Sequence, residues 1–348
     1  MKSFEGSLKM SIVLLNLLAL LISQGSAIEF SDNGYENVVV SIHPDVPEEN
    51  SEKIIEALKT FISDGSLKLF QSTKKLAYIK SVNILIPHTW SLPNLEVSDE
   101  YVYIDGQILV EKANVLYQNA PYTLQSSECG NLGKFIHLTP EYLLNLNDYN
   151  GDAEEIFGPH ENIFVHEWAK LRYGVFEEYG YPGDLVYPLF THEPSGDDAY
   201  EVEPNFNTNL PLKGEMRYKI ERFNKKISHK FVVLREFETS GKCSEDAQTN
   251  LPDSKCGFFP RVDENLYVKS SIMAAPFLEW VEDFSEYSDA SSKPTRQNFL
   301  CNQRSTWDVI ESRYKLRKVP ITKQVHVFSF YYINSFLFQA LTCLTFNH

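Results

Sequence analysis

The sequence predicts an α/β (α+β) fold, because a strand, an amphipathic helix and a second strand follow one another near its start. Residues 37–42 form the apolar run typical of a buried strand. Residues 48–62 carry apolar side chains at helical spacing and include the candidate caps Asn50 and Ser51. Residues 76–87 are again strand-like. This order is typical of a central sheet covered by helices.

Further elements are predicted after this opening. Residues 101–110 and 135–138 have the composition of strands. A short helix should begin at Pro140, because proline is favoured at the first helical position and Thr139 before it is a good cap.

A loop-rich stretch at residues 181–212 suggests a domain boundary, since it is rich in proline and polar residues and has little periodicity. We therefore expect a first domain at residues 28–200 and a smaller cysteine-containing region at residues 201–318. Within that region, residues 270–287 and 305–313 have helical periodicity.

Composition narrows the class of protein. The chain has 348 residues, of which 43% are hydrophobic and 23% are charged, so it is long enough for about two globular domains. The formal net charge of −15 repels phosphate backbones. Nucleic acid is therefore not expected as a partner.

The N-terminal segment, residues 1–27, has the layout of a secretory signal peptide. Lys2 and Lys9 precede an apolar run at residues 10–22, and Gly25-Ser26-Ala27 resembles a cleavage site. The run is shorter than the roughly 20 residues of a membrane-spanning helix, which favours cleavage over a retained anchor. We expect a secreted, extracellular protein that could associate with the cell surface.

Export would expose the cysteines to an oxidising compartment, where disulfides form. Four of them could make two disulfides in any of three pairings, and Cys343 is left over. These candidates are Cys129, Cys243, Cys256 and Cys301.

The C-terminal tail, residues 319–348, is apolar and contains no Asp, Glu, Lys or Arg after Lys323. A basic cluster precedes it, as on the cytoplasmic side of a spanning helix. Six Ser, Thr, Asn and Gln residues interrupt the apolar stretch at residues 325–346, and each would need a partner inside a bilayer. A poorly packed extension is therefore favoured over membrane insertion.

Residues 148–152 contain possible calcium ligands at the spacing of a calcium-binding loop. Asp148, Asn150 and Asp152 occupy the first, third and fifth positions of such a loop, but its sixth and twelfth positions are Ala153 and Pro159. An EF-hand loop needs Gly and a bidentate Glu there, so no calcium site is predicted.

The segment that most clearly suggests catalytic chemistry begins at His166-Glu167. In His-Glu-x-x-His metalloproteases, two imidazoles four residues apart bind zinc and the Glu activates a water molecule. His166 would be the first ligand and Glu167 the general base, while Gly174 lets the chain turn back and Glu177 offers a carboxylate ligand. The second histidine position is Lys170.

Lys170 weakens the case for zinc, because an ammonium group has no lone pair and repels a dication. His160 or His192 could replace the missing ligand only if the fold brought one of them close. The spacing predicts instead that Lys170 reaches Glu167 or Glu177 and partly replaces the charge of the metal.

The segment resembles the His-Glu-Trp-Ala-His-Leu-Arg-Trp-Gly-Val-Phe-Asp-Glu-Tyr sequence of the calcium-activated chloride channel regulator family. The similarity extends over roughly residues 30–315. Its matching segments include Asn33-Gly-Tyr-Glu36, Ile84-Leu-Ile-Pro87, Ile136-His-Leu-Thr-Pro140, Ser271-Ile-Met273, Cys301-Asn-Gln-Arg-Ser-Thr-Trp307 and His166-Glu-Trp-Ala-Lys170-Leu-Arg-Tyr173-Gly-Val-Phe-Glu177-Glu-Tyr179.

The resemblance implies an exported protein with a zincin-like metalloprotease-type domain, followed by a cysteine-containing region. It assigns zinc to His166, position 170 and Glu177, which stands where the family has Asp, and makes Glu167 the catalytic base. The von Willebrand factor A domain expected next in the family is missing, so the chain looks truncated.

Two functions follow from this resemblance. The first is a modulator of chloride conductance, with a plasma-membrane chloride channel as partner and an impaired protease site that holds zinc weakly or not at all. The second is an active, zinc-dependent endopeptidase that cleaves itself, with Glu167 as its base.

Overall fold

A computed structural model describes most of the chain between residues 28 and 332. The signal-peptide segment, the calcium-loop candidates Asp148, Asn150 and Asp152, and the cysteines Cys243 and Cys343 lie outside the described residues. The described residues are 28–92, 96–97, 101–146, 157–194, 200–223, 233–238, 256–286, 293–313 and 327–332.

The centre of the fold is a seven-stranded sheet. In chain order its strands are β3 (Val38–Ile42), β5 (Ser81–Ile86), β6 (Glu96–Val97), β7 (Ile108–Val110), β8 (Tyr122–Leu124), β9 (Phe135–Leu138) and β15 (Val327–Tyr332). Their spatial order is β6-β15-β5-β3-β7-β9-β8, and every neighbouring pair is parallel except β9 and β8. The α/β prediction is confirmed.

Two antiparallel sheets and a small mixed one accompany the central sheet. The mixed sheet contains β1 (Glu29–Ser31), β2 (Gly34–Glu36) and β4 (Tyr78–Ile79). The antiparallel pair is β10 (Phe190–Pro194) and β11 (Tyr200–Pro204). The antiparallel three-stranded sheet has β12 (Gly214–Phe223) between β13 (Val233–Glu238) and β14 (Cys256–Pro260).

Five α-helices lie in the described part of the chain. They are α1 (Ser51–Ser72), α2 (Pro140–Leu146), α3 (His160–Tyr173), α4 (Arg296–Leu300) and α5 (Thr306–Arg313). Helix α2 begins as predicted, because the Thr139 hydroxyl accepts a hydrogen bond from the backbone N–H of Tyr142. Helix α5 confirms the prediction at residues 305–313.

Helix α1 runs ten residues beyond the predicted end at residue 62 because it packs closely on α3. A Cβ atom at Gly65 would lie 2.2 Å from Cγ of Phe164, so only glycine permits this approach. The Phe164 ring packs edge-on against Phe61 and stacks on Trp168. This contact buries the helix that carries the candidate site.

Two predicted elements are wrong. The structure has turns rather than a helix over residues 270–286, where Pro276 lacks an amide donor and disfavours helix before it. Residues 101–110 are a strand only from Ile108, since Tyr103–Asp105 forms a 3-10 turn in which Asp105 accepts from the Val102 backbone N–H.

The C-terminal tail differs from its prediction where the structure describes it. Val327–Tyr332 forms strand β15 inside the central sheet, rather than a poorly packed extension. Among the described residues, none of the helices combines the length and apolarity needed to cross a bilayer.

Candidate functional site

Helix α3 brings three candidate residues together: His166, Glu167 and Lys170 lie on its buried side. The helix ends at Gly174, whose φ of 64° is left-handed. A Cβ atom there would lie 2.2 Å from the Asn131 carbonyl oxygen, so the turn requires glycine. This reversal returns the chain to the helix at Glu177, as the sequence predicts.

Lys170 joins the two carboxylates. Its Nζ lies 3.0 Å and 2.9 Å from the two carboxylate oxygens of Glu167, and 2.8 Å from Oε1 of Glu177. The exposed fractions of the three residues are only 4–5%. The predicted contact of Lys170 with Glu167 or Glu177 is present with both.

The charges in this cluster hold one another ionised. Burial disfavours the Lys170 ammonium, but the carboxylates of Glu167 and Glu177 outweigh burial and raise its pKa above the usual value. Burial likewise opposes ionisation of Glu177, but the Lys170 ammonium and the Arg296 guanidinium outweigh burial and lower its pKa below the usual value. Arg296 Nη1 lies 3.5 Å from Glu177 Oε2. At neutral pH the Lys170 side chain is therefore a protonated amine that lies between two carboxylates.

His166 is oriented by the backbone. Its Nδ1 donates to the Ile272 carbonyl oxygen at 2.9 Å, and its Nε2 lies 3.9 Å from Glu167 Oε1. Burial lowers the pKa of His166, and the Lys170 cation lowers it further. The imidazole is therefore neutral, with the Nε2 lone pair on the side of Glu167.

Glu167 has a second partner in strand β8. The Thr123 hydroxyl lies 2.7 Å from Glu167 Oε2 and 2.9 Å from its backbone oxygen. Lys170 and Thr123 together donate to both carboxylate oxygens of Glu167. A proton taken by Glu167 as a general base would have to compete with these donors.

The residues present do not fit a catalytic zinc ion. Such a site takes three protein ligands plus water, whereas this cluster offers one imidazole nitrogen, a carboxylate bound by Lys170, and an ammonium without a lone pair. His160 does not supply the missing ligand, because its Nε2 contacts Asp64 at 2.9 Å. The side chain of His192 lies outside the described residues.

A largely apolar cavity of about 350 Å³ adjoins the site. Its polar lining includes the side chains of His166, Glu167, Tyr179 and Tyr181, and aromatic rings form much of its wall. Its remaining lining residues are Ala120, Pro121, Phe157, Ile163, Gly180, Pro182, Leu189, Phe206, Phe258, Pro276 and Phe277. The site therefore retains a space that could accept an apolar group.

Helix α4 fixes the return segment after Gly174. The side-chain oxygen of Gln297 accepts from the Phe176 N–H at 2.8 Å, and its backbone N–H donates to the Glu177 carbonyl oxygen at 3.2 Å. The next residue, Glu178, is buried and accepts from the hydroxyl groups of Ser271 and Ser285. These contacts place Glu177 beside Lys170.

A disulfide secures this helix. Cys129 and Cys301 are bonded, with their Cα atoms 5.1 Å apart, which selects one bridge among the predicted candidates. Cys256 lies in β14, and its side chain is outside the described residues, as is Cys243. Because Cys301 directly follows α4, the bridge ties α4 to the loop that precedes β9.

Replacing Cys301 with Ser is expected to destabilise the protein by about 2–4 kcal/mol, because the unfolded chain loses a long covalent loop. Urea unfolding of oxidised protein, followed by tryptophan fluorescence, measures the change. Cys343→Ser is the matched control. Equal midpoints for Cys301→Ser and the unmutated protein would contradict a structural role for the bridge.

Comparison with known proteins supplies the family. A family described as "Calcium-activated chloride channel N terminal" matches residues 28–188 and 200–321, which is most of the chain. The chain belongs to the calcium-activated chloride channel regulator family. Its resemblance to that family, inferred from the segment around His166, is thereby confirmed.

Individual relatives show the same relationship. The chain is 32% identical to calcium-activated chloride channel regulator 3A-1 of Mus musculus over 312 residues, covering 89% of this chain and 31% of the relative. It is 33% identical to regulator 4 of Homo sapiens over 308 residues, covering 86% and 30%. The chain thus spans about a third of the length of these regulators. No solved structure matches it.

The comparisons leave the finer fold assignment open to proposal. The mixed α/β architecture is present, whereas the zincin-like assignment has no structural relative in its support.

Three site residues were missed by sequence reasoning because they come from distant segments: Thr123, Ile272 and Arg296. Ile272 lies in the matching segment Ser271-Ile-Met273, which was a signal for its importance.

Proposed function

We propose that this regulator-family chain is a secreted modulator of chloride conductance that acts by binding and not by peptide hydrolysis. The observation that carries the proposal is the buried ammonium of Lys170, which lies 2.8–3.0 Å from the carboxylates of Glu167 and Glu177. This contact engages the general base and replaces the second zinc ligand.

The loss of peptidase chemistry follows from the roles these groups would need. A metalloprotease base takes a proton from water that a metal ion has made acidic. Lys170 supplies positive charge at that position, but its ammonium has no lone pair with which to bind a metal ion. Without the metal ion there is no open coordination position for such water. The cluster is therefore better suited to stabilising the fold than to catalysing hydrolysis.

The proposed role in conductance rests on the family. The relatives bear the name of calcium-activated chloride channel regulators, and the chain matches the N-terminal part described for that family. The cavity beside His166 remains open to an apolar group of a partner. A plasma-membrane chloride channel is the proposed partner, reached from outside the cell after removal of residues 1–27.

Purified protein added to cells with a calcium-activated chloride current is expected to change the current amplitude in patch-clamp recordings. The Glu167→Gln variant removes one buried partner of Lys170, so its folding is first checked by circular dichroism. The folded variant should change the current equally, since binding does not require a base. Heat-unfolded protein is the control. An unchanged current with the unmutated protein would contradict modulation, and loss of the effect only in Glu167→Gln would favour peptide hydrolysis instead.

A self-cleaving endopeptidase is the second candidate, because His166 and Glu167 both line the cavity. Incubation of the purified protein separates it from the first. Cleavage that occurs in the unmutated chain and disappears in Glu167→Gln would establish peptidase activity, whereas an intact chain in both samples supports the binding role.

A further inference from the structure

Strand β15 occupies an internal position in the central sheet although it comes from the apolar tail. All six of its residues pair in parallel with β5, from Val327 opposite Ser81 to Tyr332 opposite Ile86. On its other side, Tyr331 and Tyr332 pair with the two described residues of β6. Over the part of the chain that the structure describes, most of the pairing of the tail strand is with β5.

The β5 edge that receives this strand is unsuited to water. Val82, Asn83, Ile84, Leu85 and Ile86 are all buried. Val82, Ile84 and Ile86 belong to the main apolar core, and Leu85 belongs to a second apolar cluster beside it, so β5 is covered on both faces. Parallel strands of this kind are normally interior, and an unpaired apolar edge recruits another strand.

The tail matches this edge in length and chemistry. Its strand has the sequence Val-Phe-Ser-Phe-Tyr-Tyr, which is rich in residues that favour strands and contains no charge. The three positions in register with the core residues of β5 are aromatic, namely Phe328, Phe330 and Tyr332. This strand follows residue 321, where the family match ends.

We propose that the β5 edge is a binding surface for an apolar strand running parallel to β5, and that its occupant is the chain's own segment Val327–Tyr332. The segment pairs the backbone groups of β5 and excludes other strands from them. An extended peptide with the same apolar and aromatic sequence is the ligand this surface fits. The role is independent of the proposed effect on conductance.

Hydrogen exchange in the full chain tests the proposal. Successive amides of a strand point to opposite neighbours, so prolines at both Phe330 and Tyr331 remove one donor on each side. In this double variant, the amides of residues 81–86 should exchange at least about tenfold faster than in the unmutated protein. Gln339→Pro, after the strand, is the matched control and should leave these amides protected.

A synthetic peptide of residues 325–334 completes this test. Added to the double-proline variant, it should restore protection to residues 81–86, whereas the same peptide with prolines at positions 330 and 331 should not. It should have little effect on the unmutated protein, whose edge is occupied. Protection of residues 81–86 that is the same in the double variant and the unmutated protein would overturn the proposal.

A cross-link keeps the proposal testable if the proline variant fails to fold. Val82→Cys combined with Phe328→Cys places the new thiols in register. Val82→Cys combined with Tyr332→Cys displaces them by four residues, about 13 Å along the strand. A disulfide within one chain, formed only by the first pair, supports the proposal. A disulfide between chains would show that a second copy is the occupant, and no disulfide would overturn the pairing; either result contradicts the assignment to the chain's own segment.

Discussion

Replacing Lys170 with Met is expected to lower the free energy of unfolding by about 3–5 kcal/mol, the usual cost of removing one partner from a buried ion pair. Methionine fills a similar space but has no charge, so the buried carboxylates of Glu167 and Glu177 lose the ammonium between them. Of these two carboxylates, Arg296 has a described ion pair with that of Glu177, so it cannot replace both interactions. Urea unfolding at pH 7 measures the change.

A matched variant separates the effect of losing a buried ion pair from the effect of losing any lysine. Lys59 pairs with Glu56 at 2.6 Å on the exposed side of α1, where ion pairs contribute about 0–1 kcal/mol. Lys59→Met should therefore have little effect. Adding Glu167→Gln and Glu177→Gln to Lys170→Met should recover part of the lost stability, because it removes the repulsion. Equal effects of Lys170→Met and Lys59→Met would show that the buried cluster is not stabilising.

The part of this cluster that could be predicted is the part that is local in sequence. Glu167 and Lys170 are three residues apart on one helix, and such neighbours meet on its surface. Gly174 signals the reversal that returns Glu177. Each contact depends on the geometry of a single helix and its C-terminal turn, so the spacing of the residues was sufficient to predict them.

The partners from distant segments could not be predicted. Thr123 reaches Glu167 from β8, and Arg296 reaches Glu177 from α4, across 44 and 119 residues of sequence. The Ile272 carbonyl oxygen that orients His166 belongs to the segment predicted as helix. In a helix this carbonyl would accept from the N–H four residues later, but that residue is Pro276, which has none, so the oxygen is available to His166.

The elements that could be predicted are those set by local sequence, and the others depend on long-range contacts. Strands β3 and β5 were predictable, because strands buried on both faces give continuous apolar runs. The length of α1 was not, because it depends on the contact of Gly65 with Phe164. The position of β15 depends on pairing with β5, more than 240 residues earlier, and composition alone indicated only an apolar tail.

Replacing Lys170 with His is expected to raise bound zinc to about one ion per chain, from well under one in the unmutated protein. The new imidazole would lie one helical turn from His166 and, with Glu177, complete a set of three ligands. The substitution removes the ammonium that repels a dication and releases the carboxylates it holds. Elemental analysis after dialysis against zinc measures the stoichiometry, and unfolding with and without chelator measures the linked stability.

The control for this gain is His166→Ala combined with Lys170→His, which removes one imidazole as it adds another and should bind little zinc. If Lys170→His also gains self-cleavage that Glu167→Gln abolishes, one side chain separates the binding form of this site from its catalytic form. Stoichiometric zinc in the unmutated protein would contradict the proposed replacement of metal by ammonium, because both cannot occupy the space between Glu167 and Glu177.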